Sequence, residues 1–268
     1  MNNALLLHRA PKLTNFSVLF EYYEPKLKPQ IDLWVRFATT AKVDQLSLRL
    51  SPSIHILYKR YELPQHLYAN EFVSELDFHY CKIKPNGLIG WSSLKRLYFG
   101  YTSLPDDVIK KVLLGSPRLE SLELHECYDF YRLDIVSESL KKLVIDSYYG
   151  EVGWDEELEL EIVAPKIESL EIIGKFYNMK KFKIKDVLAL VEVNLDFEIP
   201  EPNQTETDED WDDICKGYEN IVRELFESAS RNLLLANGVS WLVFLDYSLY
   251  QYFFPVVLFV EYNTLCFS

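Results

Sequence analysis

The chain has 268 residues, of which 49% are hydrophobic, enough to bury a sizeable core and to exclude global disorder. Its 28 Lys and Arg against 41 Asp and Glu leave a net charge of −13, the wrong sign for a surface that displaces counterions from nucleic-acid phosphates. GxGxxG, GxxxxGK, GxSxG and HExxH are all missing, so composition and motifs point away from phosphate, nucleophile and metal chemistry and predict no catalytic residues, no metal and no cofactor.

The N-terminus, MNNALLLHRAPKL, has an apolar run cut short by His8 and Arg9, too brief for a signal peptide. Four cysteines without CxxC spacing (Cys81, Cys127, Cys215 and Cys266) fit a reducing compartment, so the expected location is cytoplasm, nucleus or both.

From residue 13 onward one apolar template, Φ-x-x-L-x-L, recurs eight times. Its instances are Leu13/Phe16/Val18, Val43/Leu46/Leu48, Val73/Leu76/Phe78, Leu94/Leu97/Phe99, Leu119/Leu122/Leu124, Leu140/Leu143/Ile145, Ile167/Leu170/Ile172 and Leu190/Val193/Leu195. The middle residues are spaced by 21 to 30, which largely overlaps the ~20–29 of leucine-rich repeats. Alternation puts one face of each short strand into a core that a single repeat cannot complete, so neighbours must stack. Cys81, Thr102 and Cys127 hold equivalent positions after three of the strands, where a small side chain can turn inward and satisfy the backbone of the bend.

A second alternating signal, Leu133/Ile135, Leu160/Ile162 and Phe182/Ile184, precedes the next template by seven, seven and eight residues and predicts strands on the convex side as well. A helix is expected in LPDDVIKKVLLGSP at 104–117, with Pro105, Asp106 and Asp107 at its start and Gly115 at its end. The fold class is thus an α/β leucine-rich-repeat solenoid, strand-rich and irregular, followed by a C-terminal helix and an apolar tail.

These residues also carry a family likeness. LLLHRAPKL at 5–13, IDLWVRFAT at 31–39, ELPQHLY at 62–68, LESLELHECYDFYRLDIVSESLKKLVID at 119–146 and APKIESLEI at 164–172 resemble the leucine-rich region of plant F-box/LRR proteins, the group often carrying a C-terminal FBD region. The resemblance, over roughly residues 1–230, implies the substrate-recognition part of an SCF-type ubiquitin ligase. Two departures accompany it: no F-box module precedes LLLHRAP, so the ligase adaptor is an expected partner only if an F-box is supplied, and beyond Asn232 the family's final repeats give way to an apolar segment resembling an altered reading frame or retained intron.

The expected layout is a solenoid over 1–197, an acidic linker over 198–216, an amphipathic helix over 217–231 and an apolar tail over 232–268. Residues 201–213 contain seven acids and no base, a solvated stretch. Tyr218, Ile221, Val222, Leu225 and Phe226 follow helical spacing and would cap the solenoid. Trp241 to Val260 has the length of a membrane span, but Asp246, Gln251 and Pro255 offset its apolar residues, so a buried or poorly folded tail is expected ahead of a tail anchor.

His79-x-Cys81 and His125-x-Cys127 suggest a metal site until the repeat register is applied, because it turns the cysteines inward and the histidines outward. The same register sends Arg49, Asp77, His79, Arg96, Tyr98, Glu123, His125, Lys142, Asp146 and Glu171 to the concave face, a mixed-charge band with one aromatic anchor on the surface that solenoids use for partners. The expected function is a non-catalytic module that recognises a protein substrate, with no nucleic acid as partner. The competing reading is a free-standing scaffold or competitor without ligase function.

Overall fold

A strand that buries alternate side chains leaves its ladder groups and its apolar face open until the next repeat lies alongside. The computed structural model, which describes residues 13–52, 60–148, 158–176, 179–198, 223, 240–246, 259–261 and 264–266, shows that stacking. In chain order the elements are β1 (Asn15–Tyr23), α1 (Lys28–Thr40), β2 (Gln45–Pro52), β3 (Tyr61–Glu62), β4 (Glu75–His79), β5 (Cys81–Lys82), β6 (Arg96–Gly100) and α2 (Asp106–Gly115). They continue with β7 (Ser121–Cys127), β8 (Arg132–Asp134), β9 (Lys142–Tyr148), β10 (Leu158–Val163), β11 (Ser169–Phe176), β12 (Met179–Lys185) and β13 (Glu192–Glu198). Last come β14 (Ser240–Asp246), β15 (Phe259–Glu261) and β16 (Thr264–Cys266).

Nine of these strands form one parallel sheet in the order β1-β2-β4-β6-β7-β9-β11-β13-β14. All eight templates are in register. One row runs Phe16, Leu46, Leu76, Leu97, Leu122, Leu143, Leu170, Val193, and the next runs Val18, Leu48, Phe78, Phe99, Leu124, Ile145, Ile172, Leu195. These side chains, nearly all fully buried, belong to a single core that continues from Val18 to Leu195. The strand-rich leucine-rich-repeat solenoid is therefore present.

The sheet goes one strand further than the templates. Strand β14 pairs with β13 so that Trp241 and Val243 continue the two rows, although the template's first position there falls on Gly238 and the pattern fails. Residues Ser240–Asp246, which lie in the segment expected to be an apolar tail, thus add a strand to the large sheet. Of the helix expected over 217–231, Arg223 is helical and the other residues lie outside the described ones. The acidic stretch 201–213 also lies outside them. No helix among the described residues is long and apolar enough to cross a membrane.

The expected convex strands form a second parallel sheet, β12-β10-β8. Leu160 pairs with Phe182 and Ile162 with Ile184, but Leu133 pairs with Ile162 rather than Leu160. The slip is two residues, which period-two side-chain alternation permits without turning an apolar side chain outward. Outward-facing charges cross the strands of this sheet, Lys185 to Glu161 at 2.5 Å and Arg132 to Glu161, and Arg132 also pairs with Asp134 of its own strand at 2.8 Å.

Two helices complete earlier repeats. In α1, Ile31, Trp34, Val35 and Ala38 are buried at helical spacing, with Trp34 stacked on Phe20 of β1 at 5.8 Å. Helix α2 falls where the end signals place it, and its Asp106 carboxylate accepts hydrogen bonds from the N–H groups of Tyr131 and Arg132, fixing the start of β8. Gly115 closes α2 against Ile89, whose carbonyl oxygen would lie 2.4 Å from any Cβ at position 115.

Candidate functional site: the open face of the large sheet

Four successive strands of the large sheet, β4, β6, β7 and β9, end in the same backbone device. Tyr80, Tyr101, Glu126 and Ser147, each immediately before Cys81, Thr102, Cys127 and Tyr148, take positive φ of 49 to 58°. A left-handed residue interrupts the alternation, so the side chain that follows turns into the core instead of out. Thr102 Oγ1 then donates to the Gly100 carbonyl at 2.9 Å, and the Cys81 and Cys127 thiols donate to the carbonyls of His79 and His125 at 3.5 Å. Burial pushes both thiols up, Cys127 to about 12, so they stay protonated and inert, turned away from the histidines beside them in sequence.

On the outer side three rows of side chains stand free of the core. The first is Gln45, Glu75, Arg96, Ser121, Lys142, Ser169, Glu192; the second is Ser47, Asp77, Tyr98, Glu123, Val144, Glu171, Asn194; the third is Arg49, His79, Gly100, His125, Asp146, Ile173, Asp196. All ten residues expected on the concave face lie in these rows.

Seven of them join into one cluster. Asp77 accepts from Arg49 Nε and Ser47 Oγ, both at 2.9 Å, and lies 3.1 Å from His79 Nε2. The His79 ring stacks on Tyr98 at 4.7 Å, and Tyr98 stacks on His125 at 4.4 Å, with the Arg49 guanidinium 6.0 Å over the same phenol ring. His125 Nδ1 lies 2.9 Å from Asp146, and its Nε2 lies 3.7 Å from Glu123. The other three sit beside this column: Arg96 pairs with Glu75, and Lys142 with Glu171 at 2.5 Å.

The electrostatics follow from these contacts. Burial works against a charge on His125, but Asp146 and Glu123 outweigh it and push the imidazole up to about 9, so it is a cation at neutral pH. Burial raises Asp77, yet the adjacent His79 imidazole and the hydrogen bonds from Arg49 and Ser47 outweigh it and hold the carboxyl below the usual range. His125 holds Asp146 and Glu123 down in the same way. Burial pushes the Tyr98 phenol up.

Tyr98 differs from the expected exposed anchor, because it is half-buried between two imidazoles. Alternation along one strand also does not reveal the pair Tyr80 and Tyr101, whose rings stack at 4.4 Å at the strand ends. The signal was the residue before Cys81 and before Thr102, a tyrosine in both repeats.

An in-register parallel sheet with a continuous core on one side and an ordered polar face on the other defines a leucine-rich-repeat protein built to present a surface. The chain belongs to the leucine-rich-repeat domain family described as At1g61320/AtMIF1, which matches residues 8–200. Among its relatives are three Arabidopsis thaliana proteins: the F-box protein At5g03100, 30% identical over 73% of this chain and 58% of its own length; the F-box/LRR-repeat protein At3g03360, 29% identical over 73% and 40%; and the putative F-box protein At1g49610, 31% identical over 73% and 46%. The chain thus aligns with about half of the length of these relatives. No solved structure matches it.

Proposed function

We propose that the open face of the large sheet is a docking surface for a protein, and that the chain acts as a non-catalytic recognition module. The observation that carries this reading is the column Arg49–Asp77–His79–Tyr98–His125–Asp146. It spends charge and aromatic surface on ordering an outer face that the core does not need, and it contains the residue types, Tyr and Arg, enriched where binding energy concentrates. Relatives named F-box and F-box/LRR-repeat proteins, together with the family likeness of the sequence, support reading the recognised protein as a ligase substrate, with an adaptor recruited through an F-box rather than through these repeats. Solenoids bind through such extended faces, which the small rotation from repeat to repeat creates.

The test is to compare the proteins retained from a plant extract by the wild-type chain, by Arg49→Glu with Lys142→Glu on the open face, and by Arg132→Glu with Lys185→Glu on the second sheet. Loss of a retained protein with the open-face pair alone, at equal melting temperature, supports the reading. Loss with the second-sheet pair alone moves the binding surface to the other side.

A further inference from the structure

A groove of about 620 Å³ lies between the last turns of α1 and the bend that leads into β4, and none of its residues belongs to the outer rows of the large sheet. Three nitrogen donor groups border it without partners. The Asn70 side chain is 8% exposed, and its Oδ1 accepts from the Phe72 and Val73 N–H groups at 2.9 and 3.0 Å. Those bonds fix the orientation of the amide and leave its NH2 group as a donor with no acceptor among the described residues. Nε2 of His66, in the 3-10 turn Gln65–Leu67, is buried and likewise unpaired. Burial and the nearby Arg36 guanidinium hold this imidazole below its ordinary range, so at neutral pH it can donate from Nε2 without adding charge. Arg36 itself enters no ion pair among the described residues. The Thr39 and Thr40 hydroxyls, by contrast, both donate to the Arg36 carbonyl, at 3.0 and 2.7 Å.

We infer that this groove binds a small organic monocarboxylate, held by Arg36, Asn70 and His66. Unpaired donors call for an oxygen acceptor, and the planar guanidinium of Arg36 matches a carboxylate. A cation would meet Arg36 and also Lys42, whose ammonium lies 4.1 Å from the Phe72 ring centre. Glu71 is the single carboxylate bordering the groove, and it opposes a doubly charged phosphate ester more than a singly charged acid. The volume falls within the ~300–1,000 Å³ of small-molecule sites, more than a bare acetate fills. Ala69 and the half-exposed Phe72 supply apolar surface for the body of the ligand.

The experiment titrates the isotope-labelled full chain with hydrocinnamate, hydrocinnamamide, phenyl phosphate and phenethylammonium, followed by chemical shifts. Saturable shifts of the Asn70 side-chain amide and the His66 ring are expected, with hydrocinnamate at least tenfold tighter than the other three. Asn70→Asp keeps an acceptor for the Phe72 and Val73 N–H groups but puts a carboxylate oxygen where the NH2 donor stood. It should weaken hydrocinnamate at least tenfold at unchanged melting temperature. Arg36→Gln, at an exposed position, should do the same and decides the matter if Asn70→Asp melts lower. Bound hydrocinnamate should also raise the pH at which His66 titrates, because a neighbouring anion favours the imidazolium. Equal binding of acid and amide, preference for the phosphate or the ammonium, shifts that map elsewhere, indifference to Arg36→Gln, an unchanged His66 titration, or no saturation at millimolar hydrocinnamate each overturns the site. Docking on the open face is independent of every one of these outcomes.

Discussion

The imidazole of His79 fills the space that a side chain on Gly100 would need: a Cβ at position 100 would lie 2.6 Å from His79 Nδ1. Gly100 stands between His79 and His125 in the third outer row, and its missing side chain lets Tyr98 enter between the two rings. A hydrogen atom at one backbone position thereby organises residues from three strands.

Gly100→Ala should push His79 off Tyr98 and break the column. Overpacking of this kind costs about 1–3 kcal/mol, less if the imidazole swings outward. The expected result is a modest fall in melting temperature together with loss of the ring-current shifts on His79 and His125. Unchanged shifts would show that the stack does not depend on the glycine.

His125 links the column to pH. Its folded pKa is raised from 6.5 to about 9, so its stabilising contribution is complete below pH 6.5 and is lost as pH rises through 9. The group is partly exposed, and solvent screening reduces the effect to about 1 kcal/mol or less. Melting temperatures of the wild type should fall between pH 6.5 and 9.5, whereas those of His125→Gln should fall less. Titration of the His125 ring below pH 7 by NMR would contradict the assignment.

Leu122 sits at the centre of the first apolar row and is 1% exposed. Leu122→Ala should cost about 2–5 kcal/mol and Leu122→Asp more, because a carboxylate there has no partner. Since one core runs through the repeats, the loss should be global rather than confined to β7. Denaturant unfolding followed at a single site on β2 and another on β11 should show the same midpoint in the Ala variant, displaced together from the wild type.

Thr102→Val removes the hydroxyl that donates to the Gly100 carbonyl, an oxygen that also accepts from the Tyr80 N–H at 2.9 Å. With one donor left, the cost should be about 0.5–1.5 kcal/mol, the ordinary net worth of a single hydrogen bond. A loss above ~3 kcal/mol would mean that the left-handed bend at Tyr101 depends on this hydroxyl.

The repeats, the burial of the template residues (partial only for Leu13 and Phe16 of the first), the inward Cys81, Thr102 and Cys127, helix α2 and the outward placement of the ten residues expected on the open face were legible in the amino-acid order. Each follows from a local rule, period-two alternation or end chemistry, repeated at a spacing that stacking then brings into register. Helix α1 was also written in Ile31, Trp34, Val35 and Ala38, a helical spacing that the search for strand templates passes over. Strand β14 was hidden because its first template position is Gly238, and pairing with β13, not pattern, holds it in the sheet. The column depended on the tertiary structure alone. Which rings touch Tyr98 is decided by β4 and β7 flanking β6, and those strands bring together residues 19 and 27 positions away in the chain, between which no local preference acts.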